Sequence, residues 1–266
     1  MRLRNQVETN TMDKIQTIVG EEDLIEKVLS SLKTNRFNTA FAKDKEEAKE
    51  IISKMVPLDA TVGIGDSATL RQIGVIEELK KRGIEIVNPF VKELTVELIK
   101  YDAFKRMLLE SLQCDIFLTG TNAITVDGKL VNIDGVGNRI AGTIFGPKKV
   151  IIIIGRNKIV TDVSEALKRI KNVIAPVHAK HKRRKVPCVT MGKCVDCDSQ
   201  ERLCNIIAII EKNPNMGNIT VILVDEDLGL GWDVSWPNER QQRIESQYEE
   251  VSWEFILPWH PKTISK

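Results

Sequence analysis

Residues 150–154 read Val-Ile-Ile-Ile-Ile, with Lys149 before them and Gly155-Arg156 after. A strand sends successive side chains to opposite faces, so a half-exposed strand alternates apolar with polar. This run does not alternate, and it is too short for a typical helix. A strand that is apolar on both faces needs cover on both, which parallel sheets obtain from their crossover helices. One pentapeptide thus points to an α/β protein with a layer on each side of a sheet.

The rest of the chain supplies the pieces. Strands are predicted at 61–64, at 85–87 (ended by Pro89), at 115–119 and at 219–224. Between them lie a helix capped by Asp44 and running to Met55, one from the 66–67 turn to about Arg82, and one from about Lys92 to Leu112. Asp162 caps another, with Val163, Ala166, Leu167 and Ile170 at helical spacing. Residues 12–32 carry an apolar stripe through Ile15, Ile18, Val19, Leu24, Ile25, Val28, Leu29 and Leu32, with Gly20 as an interruption. Asp127-Gly128, flanked by residues 124–126 and 129–131, signals a hairpin. Residues 138–145 and 204–211 read as short helices. Alternating strands and helices predict an open, mainly parallel sheet with helices on both faces and ligands at the carboxyl ends of its strands. We read 1–58 as an N-terminal helical segment, 59–231 as the α/β domain with a cysteine loop at 186–205, and 232–266 as a tail holding all four tryptophans. That tail either wraps the domain or meets a partner subunit, and a homo-oligomer is compatible with it.

Composition excludes some functions. A net charge of +2 argues against nucleic acid or an anionic membrane surface, and 5 % aromatics against a stacking platform for single strands. No stretch reaches eighteen apolar residues, and the N-terminus is polar, so a cytoplasmic protein without a membrane span is expected.

Four glycine-rich or polar loops follow predicted strands. Gly63-Ile64-Gly65-Asp66-Ser67-Ala68-Thr69 enters a helix; its glycines and helix N-terminus can receive an anion with Ser67 and Thr69 as donors, or Asp66 can simply cap the helix. Gly120, Thr121 and Asn122 follow the third strand. In Asn132-Ile133-Asp134-Gly135-Val136-Gly137-Asn138-Arg139, Arg139 can fork onto a carboxylate or phosphate, or the loop is a hairpin end with a helix cap. Lys158 after Gly155-Arg156-Asn157 is either an anion contact or a surface lysine. The basic run 178–185 binds an anionic cofactor such as a nucleotide or coenzyme A, or is a solvated charge run.

Cys188, Cys194, Cys197 and Cys204 form the pattern C-x5-C-x2-C-x6-C, with Cys114 alone elsewhere as a small core residue. Four thiolates on one loop can close around zinc or an iron–sulfur cluster. A redox disulfide between Cys194 and Cys197, or unliganded thiols, are the other readings. A reducing compartment favours metal over disulfide.

In order along the chain, Val62-Gly-Ile-Gly-Asp-Ser-Ala-Thr-Leu70, Thr119-Gly-Thr-Asn-Ala-Ile-Thr-Val-Asp-Gly128, Leu130-Val-Asn-Ile-Asp-Gly-Val-Gly-Asn-Arg-Ile140, Gly146-Pro-Lys-Lys-Val150 and Gly155-Arg-Asn-Lys-Ile-Val160 resemble the LUD family, named for lactate utilization. The cysteine segment looks like that family's cysteine-bearing branch. The resemblance covers roughly residues 12–225. It implies a Rossmann-like fold akin to sugar-phosphate isomerases and coenzyme A transferases, and a role in lactate or other organic-acid oxidation beside iron–sulfur oxidoreductase partners. Its redox context favours a 4Fe-4S cluster at the cysteines, with zinc nearly level. In a more distant likeness to methylthioribose-phosphate isomerases, the catalytic carboxylate falls on Asn122, whose amide is no general base at neutral pH.

Three functions are therefore expected in turn. The first is a redox-associated component holding a small anionic metabolite, with Asp134 as general base and Arg139 as carboxylate anchor. The second is a coenzyme A ester transferase or hydrolase using Asp66 or Asp134. The third is a non-enzymatic metabolite-binding subunit of an oxidoreductase, docking through its tail.

Overall fold

The computed structural model describes residues 21–92 and 101–253. Expectations for the start of the first helix, for residues 93–100 and for the tail beyond Trp253 lie outside those residues. In chain order the elements are α1 (Glu21–Thr34), β1 (Asn38–Ala42), α2 (Lys45–Met55), β2 (Thr61–Ile64), α3 (Ala68–Ile73), α4 (Val75–Lys81) and β3 (Glu85–Val87). Then come α5 (Tyr101–Gln113), β4 (Ile116–Gly120), β5 (Ala123–Thr125), β6 (Leu130–Asp134), α6 (Asn138–Ile144), β7 (Lys149–Gly155) and β8 (Ile159–Val160). They are followed by α7 (Val163–Arg169), a π turn (Ile170–Ile174), α8 (Ala175–His181), α9 (Pro187–Met191), β9 (Ile206–Ile210), β10 (Ile219–Val224) and α10 (Asn238–Glu250).

Six strands form the main sheet in the order β1-β10-β7-β4-β2-β3, and every pairing in it is parallel. The apolar pentapeptide is the core of β7, one of its central strands. Its side chains divide as the pleat requires. Ile151 and Ile153 join the cluster under α2, α3 and α4, while Val150, Ile152 and Ile154 join the cluster under α1. All five are buried, so the two-faced cover expected from 150–154 is what the fold provides.

A second sheet, ordered β8-β5-β6-β9, carries the hairpin. Ala123 and Ile124 oppose Val131 and Leu130, and Gly128 at the turn has φ +80. A third apolar cluster joins this sheet to the π turn and to Trp232, Trp236, Ile244 and Tyr248. Trp232 and Trp236 are buried, so the described part of the tail wraps the domain.

Two elements differ from expectation. Residues 204–211 hold a strand, β9, antiparallel to β6. Four isoleucines in five residues prefer a pleated surface, and pairing with β6 settles the choice. The segment 1–58 is not wholly helical either: β1 lies within it and pairs with β10, so it completes the main sheet. Among the described residues no helix is long and apolar enough to cross a membrane.

Candidate functional site

Because the main sheet is parallel, the carboxyl ends of β2, β4, β7 and β10 emerge on one side. A cleft of about 240 Å³ opens there. It brings together Asp66, Ser67, Gly120, Thr121, Asn122, Asp134, Gly135, Asn138, Arg139 and Lys158 from the four sequence-predicted loops. Gly63, Gly65, Thr69, Asn132 and Gly137 do not line it. Gly63 within β2 and Gly65 just after it serve packing instead. A methyl group on Gly63 would stand 2.0 Å from the Ser111 carbonyl oxygen of α5, and one on Gly65 2.7 Å from Thr119 Oγ1.

The cleft is built by locking its loops together through Arg139. Its Nη1 donates to Asn132 Oδ1 (2.6 Å) and Gly120 O (3.4 Å), and its Nη2 to Ile133 O (2.6 Å) and Asn122 Oδ1 (3.0 Å). Those donors, expected to grip a ligand carboxylate, are thus taken up by the protein; Arg139 organises the loops and supplies positive charge. Asp134, expected as a general base, accepts from the backbone N–H groups of Val136, Gly137 and Ile140. It caps α6, whose N-cap Gly137 sits at φ +94. Asn122 likewise accepts from Ile133 N. In the first loop the cap of α3 is Ser67, which accepts from Leu70 N, and this frees Asp66 to pair with Arg71 at 2.7 Å.

Lys158 is 6 % exposed. It ends the short 3-10 turn Arg156–Lys158, which is pinned by its buried neighbour Asn157. Asn157 donates to Gly231 O and accepts from Leu228 N, and its own carbonyl accepts from the buried Arg169. The Lys158 amine donates to Thr69 Oγ1 (3.1 Å) and Thr121 O (3.2 Å). It has no ion-pair partner among the described residues. Burial, aided by the Arg139 charge, lowers its pKa to about 7. The cavity that receives it exists because residue 229 is glycine: a side chain there would begin 2.6 Å from Nζ.

The opposite wall was not assembled by the sequence reading. It comes from α8, the turn after it, and α10. Lys182 and Arg184, part of a run that reads more readily as solvated charge, are buried and face the cleft. Burial lowers the Lys182 pKa, with Arg71 and Arg184 adding to the effect and Asp66 opposing it. Burial pushes the Asp66 carboxyl up, but Arg71 and Lys182 together hold it well below the usual carboxylate range. His178 Nδ1 lies 2.5 Å from the Tyr248 hydroxyl. Burial and Lys182 bring the imidazole down to about 3, and burial carries the phenol up to about 12, so both are neutral across the physiological range. Trp253 lies beneath Arg71 and Lys182, 4.6 and 5.3 Å from its ring centroid. In all, the cleft is lined by Arg71, Arg139, Lys158, Lys182, Arg184 and Arg202 against the carboxylates of Asp66 and Asp134. Such a surplus of cationic side chains in a low-dielectric recess favours an anion.

The cysteine segment borders this cleft through Gln200, Arg202 and Leu203. Cys188 lies on α9, and Cys204 precedes β9. Arg202 donates to the carbonyls of Cys197 (2.5 Å) and Cys204 (3.2 Å) and pairs with Asp196. Asp196 N donates to Cys194 Sγ at 3.4 Å. Burial raises the Cys188 thiol, and Cys197, Cys204 and Cys194 each raise it further, so the four lie within electrostatic reach of one another. Among the described residues no three His, Cys, Asp or Glu side chains are arranged at metal-binding distances, and all five cysteines are free.

A family model described as "LUD domain" matches residues 25–224. No curated protein matches the chain. Among solved structures, the chain is similar to a DUF162 family protein from Deinococcus radiodurans at 12 % identity, covering 77 % of this chain and 99 % of that one with a TM-score of 0.43. It is also similar to ribose 5-phosphate isomerase A from Neisseria gonorrhoeae (16 % identity, 80 % and 87 % covered, TM-score 0.32). The ribose 5-phosphate isomerase A of Methanocaldococcus jannaschii gives 12 % identity, 75 % and 84 % covered, and a TM-score of 0.32.

Proposed function

Since the chain belongs to the LUD (lactate utilization) domain family, we propose that it is a component of organic-acid oxidation that holds a small carboxylate metabolite in the cleft beside Lys158. The observation that carries this reading is the surplus of cationic side chains lining one cavity, Arg71, Arg139, Lys158, Lys182, Arg184 and Arg202 against the carboxylates of Asp66 and Asp134. Positive charge buried in excess of its counter-charge is costly, and an incoming carboxylate offsets it.

The cysteine segment is the second part of the proposal. Cys188, Cys194, Cys197 and Cys204 would hold zinc or an iron–sulfur cluster after a local rearrangement that draws the thiols to ligand distance. Support comes from their mutual proximity, from the soft donor set and from the N–H of Asp196 on Cys194, the kind of sulfur hydrogen bond that tunes such centres. A cluster would supply electron transfer; zinc would supply structure. Titration with lactate and pyruvate, followed by heat release or thermal shift, tests the cleft. Metal analysis with anaerobic absorbance near 400 nm tests the cysteines. Binding of neither acid removes the first part, and metal-free, colourless protein removes the second.

A further inference from the structure

The donor count at Lys158 does not suit an ammonium. An ammonium has three N–H bonds, while a neutral amine has two and a lone pair. The protein offers Nζ two acceptors, Thr69 Oγ1 at 3.1 Å and the Thr121 carbonyl at 3.2 Å. Those two take the N–H bonds of a neutral amine and leave its lone pair over, at the wall of an open cleft. Among the described residues no carboxylate stands within ion-pair distance to hold the proton, and the Arg139 guanidinium stands near enough to oppose it. Burial next to a second cation is a recognised way of keeping a lysine amine nucleophilic.

We propose that Lys158 is a covalent nucleophile that forms an imine with a 2-oxo acid bound in the cleft. The reading of the cleft as a carboxylate site underlies this step. The Lys158 lone pair attacks the ketone carbon and a C–N bond forms. The carbonyl C–O bond then breaks. The oxygen leaves as water, carrying one proton from the attacking nitrogen and one from solvent, and the product is a protonated imine. No electrons are exchanged with an outside reagent. The neighbouring carboxylate of the oxo acid meets the cationic wall of Lys182 and Arg71. A 2-hydroxy acid has the same carboxylate but no carbonyl, so it binds without reacting. At a pKa of about 7 half of the amine is in the reactive form at neutral pH, where a solvent-exposed lysine would be almost wholly charged.

Trapping in the full chain tests this. Protein is incubated with pyruvate and cyanoborohydride, digested, and mapped by mass spectrometry; lactate and pyruvate binding are measured in parallel without reductant. The expected result is a gain of one reduced pyruvate on the peptide carrying Lys158. It should be suppressed by excess lactate, absent with lactate alone and lost in Lys158→Met. If pyruvate binds but the label is missing from Lys158, or is spread over surface lysines and unchanged in Lys158→Met, the covalent step is overturned and the carboxylate site survives. If neither acid binds, both fall together. Peptide mapping of the wild-type protein gives the answer even where the variant folds poorly.

Discussion

In the unfolded chain Lys158 keeps its proton up to about 10.5, and in the folded protein it gives it up near 7. Between those values the unfolded state binds more protons, so this residue makes stability rise with pH, and the penalty of burying its charge is fully present only below about 7. Lys158→Met removes the group. The variant should therefore exceed wild type in stability most at pH 6, with the difference shrinking by pH 10; denaturant melts at pH 6, 8 and 10 read it directly, and a difference that grows with pH would contradict the lowered pKa. Arg139 makes a second residue-level case. Arg139→Ala strands the oxygens of Asn122, Asn132, Gly120 and Ile133 that its guanidinium joins. A loss of about 3 kcal/mol is expected. Arg139→Lys should not restore it, because one ammonium cannot span that fork. A free carboxylate anchor would instead cost binding and leave stability alone. Residue identity along the chain pointed to Asp134 and Arg139, which line the cleft, but not to the hydrogen bonds they make, since those depend on where the loop's own N–H and C=O groups point. Lys182, Arg184 and Tyr248 were legible only as members of a basic run and of the tail: which side chains turn inward depends on the turns beside them.

Elements divide by how far their sequence decides them. β7 was legible because β-branched hydrocarbon without alternation allows one arrangement only, and its neighbours supplied both layers. β1 was not, because Asn-Thr-Ala-Phe-Ala carries little strand preference and is held by pairing with β10. β9 was misread because a short apolar run shows no period that separates helix from strand; its β-branched isoleucines lean to a strand, and pairing with β6 decides it. Gly63 on β2 shows the same dependence on context. Its lack of a side chain read as room for a ligand, whereas the space is filled by the α5 backbone. Gly63→Ala should therefore cost about 1–3 kcal/mol of stability with no ligand present, by prying β2 from α5. Equal melting temperatures for the two proteins, with only ligand affinity reduced, would restore the ligand-approach reading.

At the scale of the molecule, the C-terminal segment folds back over the carboxyl ends of the strands and closes one side of the cleft through Tyr248. Trp236 is its anchor: the ring is buried, with the Arg240 guanidinium 3.8 Å and the Arg169 guanidinium 5.7 Å from its centroid. From there α10 runs to Tyr248, which meets His178, and on to Val251, whose carbonyl receives Arg71 Nε at 2.9 Å. Arg169 also holds the carbonyls of Asn157 and Ile159 on either side of Lys158, so one buried cation links the tail to the proposed nucleophile. Trp236→Ala should cost roughly 3–5 kcal/mol in the buried indole alone. The loss should concentrate in α10: amide exchange across residues 238–250 should quicken before that of β7, because the described part of the tail adds no strand to either sheet and can open while they persist. Pyruvate affinity should fall with it, since Arg71 loses the wall that positions it. Uniform loosening of β7 and α10 together would mean that tail and sheet are one cooperative unit. Unchanged exchange and unchanged affinity would mean that the tail only decorates a site which is complete without it.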